Sequence, residues 1–367
     1  MAAPRPLDVP ELLEHCIHCL DGSTSTLISC SLVARSWVNP AQSVLFRDPS
    51  ATNDLFLVSN NVLHKFYRTL GLSPHLVRHI RTFTLHPGFL SAASLETVAS
   101  IEFTHLTRLI LHISNPASTE SNLPLQSLLR VPNLRYLTLL IDGSFATFAH
   151  ILEGQCSRSI QHLSLSCWSQ TTARRLPALL RDMPAVHLKS LGITMWGPEG
   201  PELLPWLPYP FDVSNVKALR TELSFPLPCE TIRPPVVEIL DIFILRNEAP
   251  AIQLSTFPNL KFLRFHMVSG MRQTVVGTLA TLTRNHSIHT IVISVPFELP
   301  VEQCSELDSV LASISCPSLL CVEIEPRNMK RDLSSSFPQL IARGLLRAAH
   351  RSNEMVEARW RDLVNTL

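Results

Sequence analysis

The stretch LTRLILHISN, residues 106–115, decides the fold of this chain. It holds an aliphatic residue, two variable residues, an aliphatic, one variable residue and a further aliphatic, at Leu106, Leu109 and Leu111. Side chains two apart on a β-strand point to the same face, whereas their neighbours point to the other. The stretch therefore predicts a short strand with one face in the core and one face presented.

The same pattern recurs along most of the chain at a nearly constant period. From Leu106 to Leu134 the spacing is 28 residues, and from Leu134 to Ile160 it is 26. Clear copies start at Leu106, Leu134, Ile160, Leu188, Val237, Leu260, Ile288 and Leu319, and weaker ones at Ile80 and Val216. Apolar residues at helical spacing lie between several copies. A strand and helix this short cannot bury their own apolar face, so the copies must stack.

Over residues 76–330 this pattern resembles leucine-rich repeats. The resemblance implies an α/β solenoid, a curved parallel sheet with helices outside. The array is irregular, since spacings of 21 and 23 residues and proline-rich inserts interrupt it. The family's usual Asn or Cys after the strand is also missing, and the residues at that position are Ser114, Asp142, Trp168, Trp196 and Val268.

Residues 9–48 carry no repeat and predict three short helices. Pro10 suits the first position of a helix, and its apolar stripe is Leu12, Leu13, Cys16, Ile17 and Leu20. Ser23, Thr24 or Ser25 can cap a second helix, closed by Trp37. Asn39-Pro40 predicts the start of a third.

This segment resembles the F-box of ubiquitin-ligase substrate receptors, through residues 10–13, 30–33, Arg35, Trp37 and 45–46. The resemblance implies docking on the Skp-type adaptor of an SCF ubiquitin ligase, with the repeats binding an unknown target protein. The positions it assigns to core or docking are Pro10, Leu12, Leu13, Ile17, Leu32, Val33 and Trp37, with Leu12 and Ile17 taken as presented. Two departures are a weak Leu-Pro opening and Ala34 where a cysteine is frequent. In the alternative interpretation these helices only cap a scaffold or recognition protein with no ligase role.

The predicted organisation is a helical module at 1–50, a connecting segment at 51–75, the repeats at 76–330 and a C-terminal helical cap at 331–367. The cap follows from helical spacing of Ile341, Leu345, Leu346 and Ala349.

Partner binding is expected on the presented sheet face, because aromatic and Arg side chains contribute most to interfaces. The candidate residues are Tyr136, His162, Phe262, Arg264 and His266, with Trp168 and Trp196 at strand exits. A second possibility is that residues 340–367 fold over this face or make the contact themselves.

Composition argues against several functions. The chain has 31 Lys+Arg and 30 Asp+Glu, a net charge of +1, so nucleic-acid binding is not expected. Nine scattered cysteines suit a reducing compartment, the cytoplasm or nucleus. We expect no membrane segment and no signal peptide.

No catalytic or cofactor motif is present in the sequence. The cluster of His15, Cys16, His18 and Cys19 lacks the second pair that a zinc site needs. The sequence also contains no serine nucleophile elbow and no phosphate-binding glycine loop. Glu323 and Glu325 predict a solvated acidic strand edge. We therefore expect a non-catalytic protein without metal or cofactor.

Overall fold

The computed structural model describes residues 9–48, 60–86, 92–114, 123–142, 156–167, 186–195, 211–222, 234–244, 251–267, 272–295, 300–326, 333–348 and 354–367. The chain forms two compact units, Met1–Ile160 with Cys167–Val186, and Gln161–Ser166 with His187–Leu367. Each unit combines a parallel sheet with helices. The chain is therefore a mixed α/β protein whose large parallel sheets are consistent with a repeat solenoid.

The first unit begins with a group of helices and continues as alternating helices and strands. Its helices are α1 (Pro10–His18), α2 (Thr24–Val33), α3 (Arg35–Leu45), α4 (Asn60–Leu72), α5 (Pro74–Val77), α6 (Ala92–Ala99) and α7 (Leu123–Leu129). Its strands are β1 (Thr82–Leu85), β2 (Arg108–Ser114) and β3 (Tyr136–Asp142). They pair in parallel, with Thr82 opposite Arg108 and Arg108 opposite Tyr136.

The second unit holds most of the strands. These are β4 (His162–Cys167), β6 (Ser190–Met195), β8 (Ala218–Glu222), β9 (Ile239–Ile244), β10 (Phe262–Met267), β11 (Thr290–Val295), β12 (Cys321–Pro326) and β13 (Leu346–Ala348), in that order across the sheet. The short strands β5 (Val186–His187) and β7 (Phe211–Asp212) form a separate pair. The helices are α8 (Arg272–Leu279), α9 (Val301–Ser313), α10 (Leu333–Ser336), α11 (Pro338–Ala342) and α12 (Glu354–Asn365), with 3-10 turns at Pro234–Val236 and Leu254–Thr256.

The repeated aliphatic pattern forms the core of both sheets. In β2, Leu109 and Leu111 are fully buried, as Leu263 and Phe265 are in β10. The first aliphatic of each copy lies in the turn before its strand and is buried as well, as Leu106 shows. The sequence pattern therefore locates the strands and their inward face correctly.

A ladder of backbone hydrogen bonds joins consecutive copies where their strands begin. Thr107 N–H donates to the Arg81 carbonyl and Arg135 N–H to the Thr107 carbonyl, each at 2.8 Å. In the second unit Lys217 N–H donates likewise to Lys189, at 2.8 Å. We call these positions the edge ladder: Arg81, Thr107 and Arg135 in the first unit, and Gln161, Lys189, Lys217, Glu238, Lys261, His289 and Leu320 in the second. The ladder holds successive strands at one register.

Helix boundaries near the N-terminus differ from the expectation. α3 starts at Arg35, so Pro40 lies inside it rather than at its start. The break between α2 and α3 falls at Ala34, whose extended backbone has φ −156° and ψ 156°. Trp37 consequently lies in the first turn of α3 and does not close α2.

Two of the expected segments contain elements that the sequence pattern did not indicate. The expected connecting segment 51–75 contains all of α4, and Tyr67 of α4 is buried with its ring 5.9 Å from that of Phe83 in β1. The expected helical cap at 331–367 contains a strand, β13, in which Leu346 pairs with Val322. Gly344, with φ 68°, ends the preceding helix and turns the chain into that strand.

Candidate interaction surfaces

The helices α1, α2 and α3 form a small helical module with its own apolar core. α1 contributes Leu13 and Ile17, two members of its predicted stripe. The full core set is Leu13, Ile17, Leu27, Cys30, Ala41 and Val44, against which Leu20, Trp37 and Leu45 pack. Gly22 has φ 91°, a conformation that favours glycine, and makes the turn from α1 to α2 possible.

The same module exposes large apolar side chains to solvent. The exposed fraction is 50% for Leu12, 50% for Ile28, 81% for Leu32 and 64% for Val33. We call these four residues the apolar patch. On α2, Leu27 and Cys30 point into the core, while Ile28 and Leu32, four residues apart, share a side turned away from it. A helix that is apolar on opposite sides is usually buried on both. The free side of α2 is therefore suited to a protein partner.

The predicted docking residues divide into two groups. Pro10, Leu12, Leu32 and Val33 are exposed, whereas Leu13 and Ile17 are buried in the module. The expectation that Ile17 is presented is thus wrong, because it lies one turn after Leu13 on the inner side of α1. Trp37 is half-buried.

Ile28 was missed by the sequence reasoning. Its spacing of four residues from Leu32 is the signal that could have identified it.

The cluster His15, Cys16, His18 and Cys19 lies on the exposed side of α1 and in the turn after it. Among the described residues, no group of three or more His, Cys, Asp or Glu side chains could hold a metal ion.

In the second unit, the C-terminal helix α12 lies over the presented face of the sheet. The Trp360 ring stacks on the Arg220 guanidinium of β8, with Cζ 4.5 Å from the ring centroid. Arg359 lies over the Phe262 ring of β10 at 5.3 Å. Trp360 and Val364 are buried. We call the part of the sheet under these contacts the covered face.

Arg359 joins α12 to two carboxylates of β12. Its Nη1 donates to Glu325 Oε1 at 2.7 Å and lies 2.6 Å from Glu323 Oε2. Arg264 of β10 donates from Nη2 to the other Glu325 oxygen at 2.6 Å. Glu325 therefore accepts from two guanidinium groups, and the expectation of a solvated acidic edge at Glu323 and Glu325 is wrong.

A second buried charge cluster lies beside it, where the sheet register sets Asp241 between Arg220 and Arg264. Arg220 Nε donates to Asp241 Oδ2 at 2.8 Å, and His266 Nε2 lies 2.8 Å from Asp241 Oδ1. Burial alone would raise the pKa of Asp241, but the charges of His266 and Arg220 outweigh it and hold the pKa below its usual range. Burial lowers the pKa of His266 in spite of the neighbouring carboxylate. Asp241 is thus a buried carboxylate held between Arg220 and His266.

These contacts correct the expected partner-binding set. Phe262, Arg264 and His266 are buried rather than presented, because α12 and the charge clusters enclose them. The alternative in which the C-terminal segment folds over this face matches the structure. The sequence pattern did not indicate a role for Arg359 or Trp360. One signal was present: Arg220 and Asp241 occupy equivalent positions on neighbouring strands, which indicates an ion pair there.

The other expected partner residues lie elsewhere. Tyr136 is half-buried on β3 of the first unit, where burial raises its pKa. His162 on β4 is buried, and its Nδ1 lies 2.9 Å from the Ser190 hydroxyl. Trp168 and Trp196 fall outside the described residues.

Comparison with known proteins gives little further guidance. Neither the family models nor the curated proteins contain a match to this chain. A chain in a solved structure, "Crystal structure of Rad7 and Elc1 complex in yeast", is similar at 15% identity and a TM-score of 0.33, over 85% of this chain and 86% of that one. Among the described helices, none is long and apolar enough to cross a membrane. The functional assignment therefore depends on the two surfaces described above.

Proposed function

We propose that this chain is the substrate-recognition subunit of an SCF-type ubiquitin ligase. In this proposal the helical module binds the Skp-type adaptor and the repeats bind a target protein in the cytoplasm or nucleus. The chain itself catalyses nothing, and ubiquitin transfer is performed by the rest of the complex.

The observation that carries the proposal is the apolar patch on a module whose residues resemble an F-box. A module of three short helices has a small apolar core. Burying Leu32 and Val33 would stabilise the module further, yet both side chains are exposed to water. Burying a large aliphatic side chain is worth about 1.5–3 kcal/mol, so covering the four residues supplies several kcal/mol towards association. Such a gain suits an adaptor interface of modest size.

Target recognition is assigned to the repeats. In the first unit Tyr136 and Arg108 occupy paired positions on the presented side of β3 and β2, and both are part-exposed. In the second unit Phe262, Arg264 and His266 can contact a target only when α12 leaves the covered face. Tyr136 is therefore the first residue to test for target binding.

A scaffold or recognition protein without a ligase role is the second candidate. It is favoured by the way the module joins the repeats: the Arg47 carbonyl accepts N–H bonds from Arg81 and Thr82 at 2.9 and 3.1 Å. Arg81 offers its own carbonyl to Thr107 and Arg108 in the same manner. The module thus precedes β1 as one more rung, which is what a cap does. A cap alone gives no reason for the exposed apolar patch.

The test is co-purification of the full chain with a recombinant Skp-type adaptor. Leu32→Glu places a charge in the patch and should abolish capture, while the thermal melt stays unchanged because Leu32 makes no core contact. Leu320→Glu is the matched control, since Leu320 is also an exposed leucine, at 66%, and lies in the second unit. Capture of the Leu32→Glu chain, or failure of the native chain to bind, refutes the adaptor role.

A further inference from the structure

A small open cavity lies where the strands of the first unit begin, apart from the apolar patch. It has a volume of about 220 Å³ and is lined by Arg81, His105, Thr107, Asn133 and Arg135. A water molecule occupies roughly 30 Å³ of liquid, so the cavity has room for a polyatomic ion with part of its hydration shell. None of the lining residues is acidic.

The edge ladder explains why two arginines meet there. Because Thr82, Arg108 and Tyr136 are register partners, the residues just before them, Arg81, Thr107 and Arg135, stand side by side. Neighbouring strands are about 4.8 Å apart, so the two arginines start roughly 10 Å apart, on either side of Thr107. Guanidinium groups on side chains of that length can converge on one anion held between them.

Among the described residues, hydrogen bonds fix the walls of the cavity and use few donors of its cationic groups. Asn133 Nδ2 donates to the Thr104 carbonyl at 2.8 Å, and Thr107 Oγ1 donates to the Arg81 carbonyl at 3.1 Å. Arg81 makes one side-chain bond within the described part of the chain, from Nη1 to the His105 carbonyl at 3.4 Å. Arg135 makes no ion pair with any described residue. Within the described part of the chain, most guanidinium donors of both arginines therefore have no protein partner and can bind a ligand.

The surroundings are electropositive. Burial first, and then the nearby side chains of Arg78, His75, Arg81 and His105, lower the pKa of His79, two residues before Arg81. Guanidinium groups bind phosphate through paired, charge-assisted hydrogen bonds, and two of them match the charge of a phosphate dianion.

We propose that this cavity binds one phosphate group between Arg81 and Arg135, presented by a phosphorylated side chain of a partner protein. Nucleic acid fits the site less well, since single strands are held by extended basic grooves with stacking aromatics and no aromatic residue lines this cavity. The phosphate site contains no residue of the apolar patch, so phosphate binding can be tested independently of the ligase role.

The first experiment titrates the full chain with inorganic phosphate, using chloride at equal ionic strength as the reference, and follows binding by calorimetry. Arg81→Gln/Arg135→Gln should weaken phosphate binding at least about tenfold, as loss of charge-assisted bonds predicts. Arg135→Gln alone should weaken it too, without loss of any hydrogen bond that the described residues make. Lys189→Gln is the matched control, an exposed cation at an edge-ladder position of the second unit, and should bind as the native chain does.

The second experiment identifies the source of the phosphate. A degenerate phosphoserine peptide library should be retained by the native chain, and its unphosphorylated form should not. Phosphate binding that persists in the double variant overturns the site. Retention of a single-stranded oligonucleotide without retention of the phosphopeptides, or of neither, overturns the protein ligand.

Discussion

Replacing Trp360 by alanine should release the C-terminal helix from the covered face and leave the sheet folded. α12 has 12 residues, a length at which an isolated helix is marginal in water. Its order therefore depends on tertiary contacts, one of which is the Trp360 ring on Arg220. Removing a buried tryptophan side chain costs about 3–5 kcal/mol.

That loss can be read as a local opening free energy. At about 1.4 kcal/mol for each factor of ten, the amide hydrogens of α12 should exchange roughly 100- to 3,000-fold faster in Trp360→Ala. Hydrogen-exchange mass spectrometry of the full chain measures this, segment by segment. Asp362→Ala changes an exposed residue of the same helix and should leave exchange within a few-fold of the native rate.

Two exchange patterns would contradict a separate opening of α12. Unchanged exchange in α12 would mean that the Trp360 contact contributes little. Equal acceleration in α12 and in β9 and β10 would mean that the helix and the sheet unfold as one cooperative unit, with no separate opening of the covered face.

Two further predictions concern pH and backbone conformation. Burial, and then the charge of His86, lower the pKa of His112 to about 4. A histidine in the unfolded chain has a pKa near 6.5. The contribution of His112 to the free energy of unfolding is therefore fully present above about pH 6.5 and is lost as the pH falls towards 4. In His112→Phe, which keeps a ring stacked on His86, the urea midpoint should fall less between pH 7 and pH 5 than in the native chain, and an identical fall would contradict the assignment. Gly344 has φ 68°, so Gly344→Ala should lower stability by about 1–2 kcal/mol. Calorimetry should show a smaller loss for Gly344→Asn, since Asn tolerates this conformation better, and an unchanged melting temperature in Gly344→Ala would argue against a strained turn there.

The strands were predictable because their signal is local and repeated. Pairs such as Leu109 and Leu111 identify the inward face of a strand within a few residues. The constant period predicts that a similar strand follows and packs beside it. Parallel register then follows from stacking. The position of a helix start depends on smaller differences in local conformation. Ala34, whose backbone is extended, separates α2 from α3, and Pro40 lies inside α3. Trp37 packs against the module core from the first turn of α3.

The covered face was not predictable from local pattern. Alternation correctly placed Arg264 and His266 on the side opposite the core, but it says nothing about a segment arriving from the end of the chain. Trp360 and Val364, four residues apart, indicate that α12 has an apolar side. Their spacing does not say which surface that side covers, because the partners of α12, Arg220 and Glu325, are distant in sequence. The division of the apolar residues on α1 between Leu12 and Leu13 likewise needed the packing of α3, since a stripe does not reveal its exact centre.

The reach of α12 back to β8 has a consequence for the order of folding. Rungs of the repeat array contact each other over fewer than 30 residues, whereas Trp360 meets Arg220 across about 140 residues, and closing a longer loop costs more entropy. A chain emerging from the ribosome can stack β8 to β12 before α12 has emerged, because domains form from the N-terminus as they appear. The charged side of those strands is then exposed to water in the nascent protein, and it becomes buried when α12 packs on it.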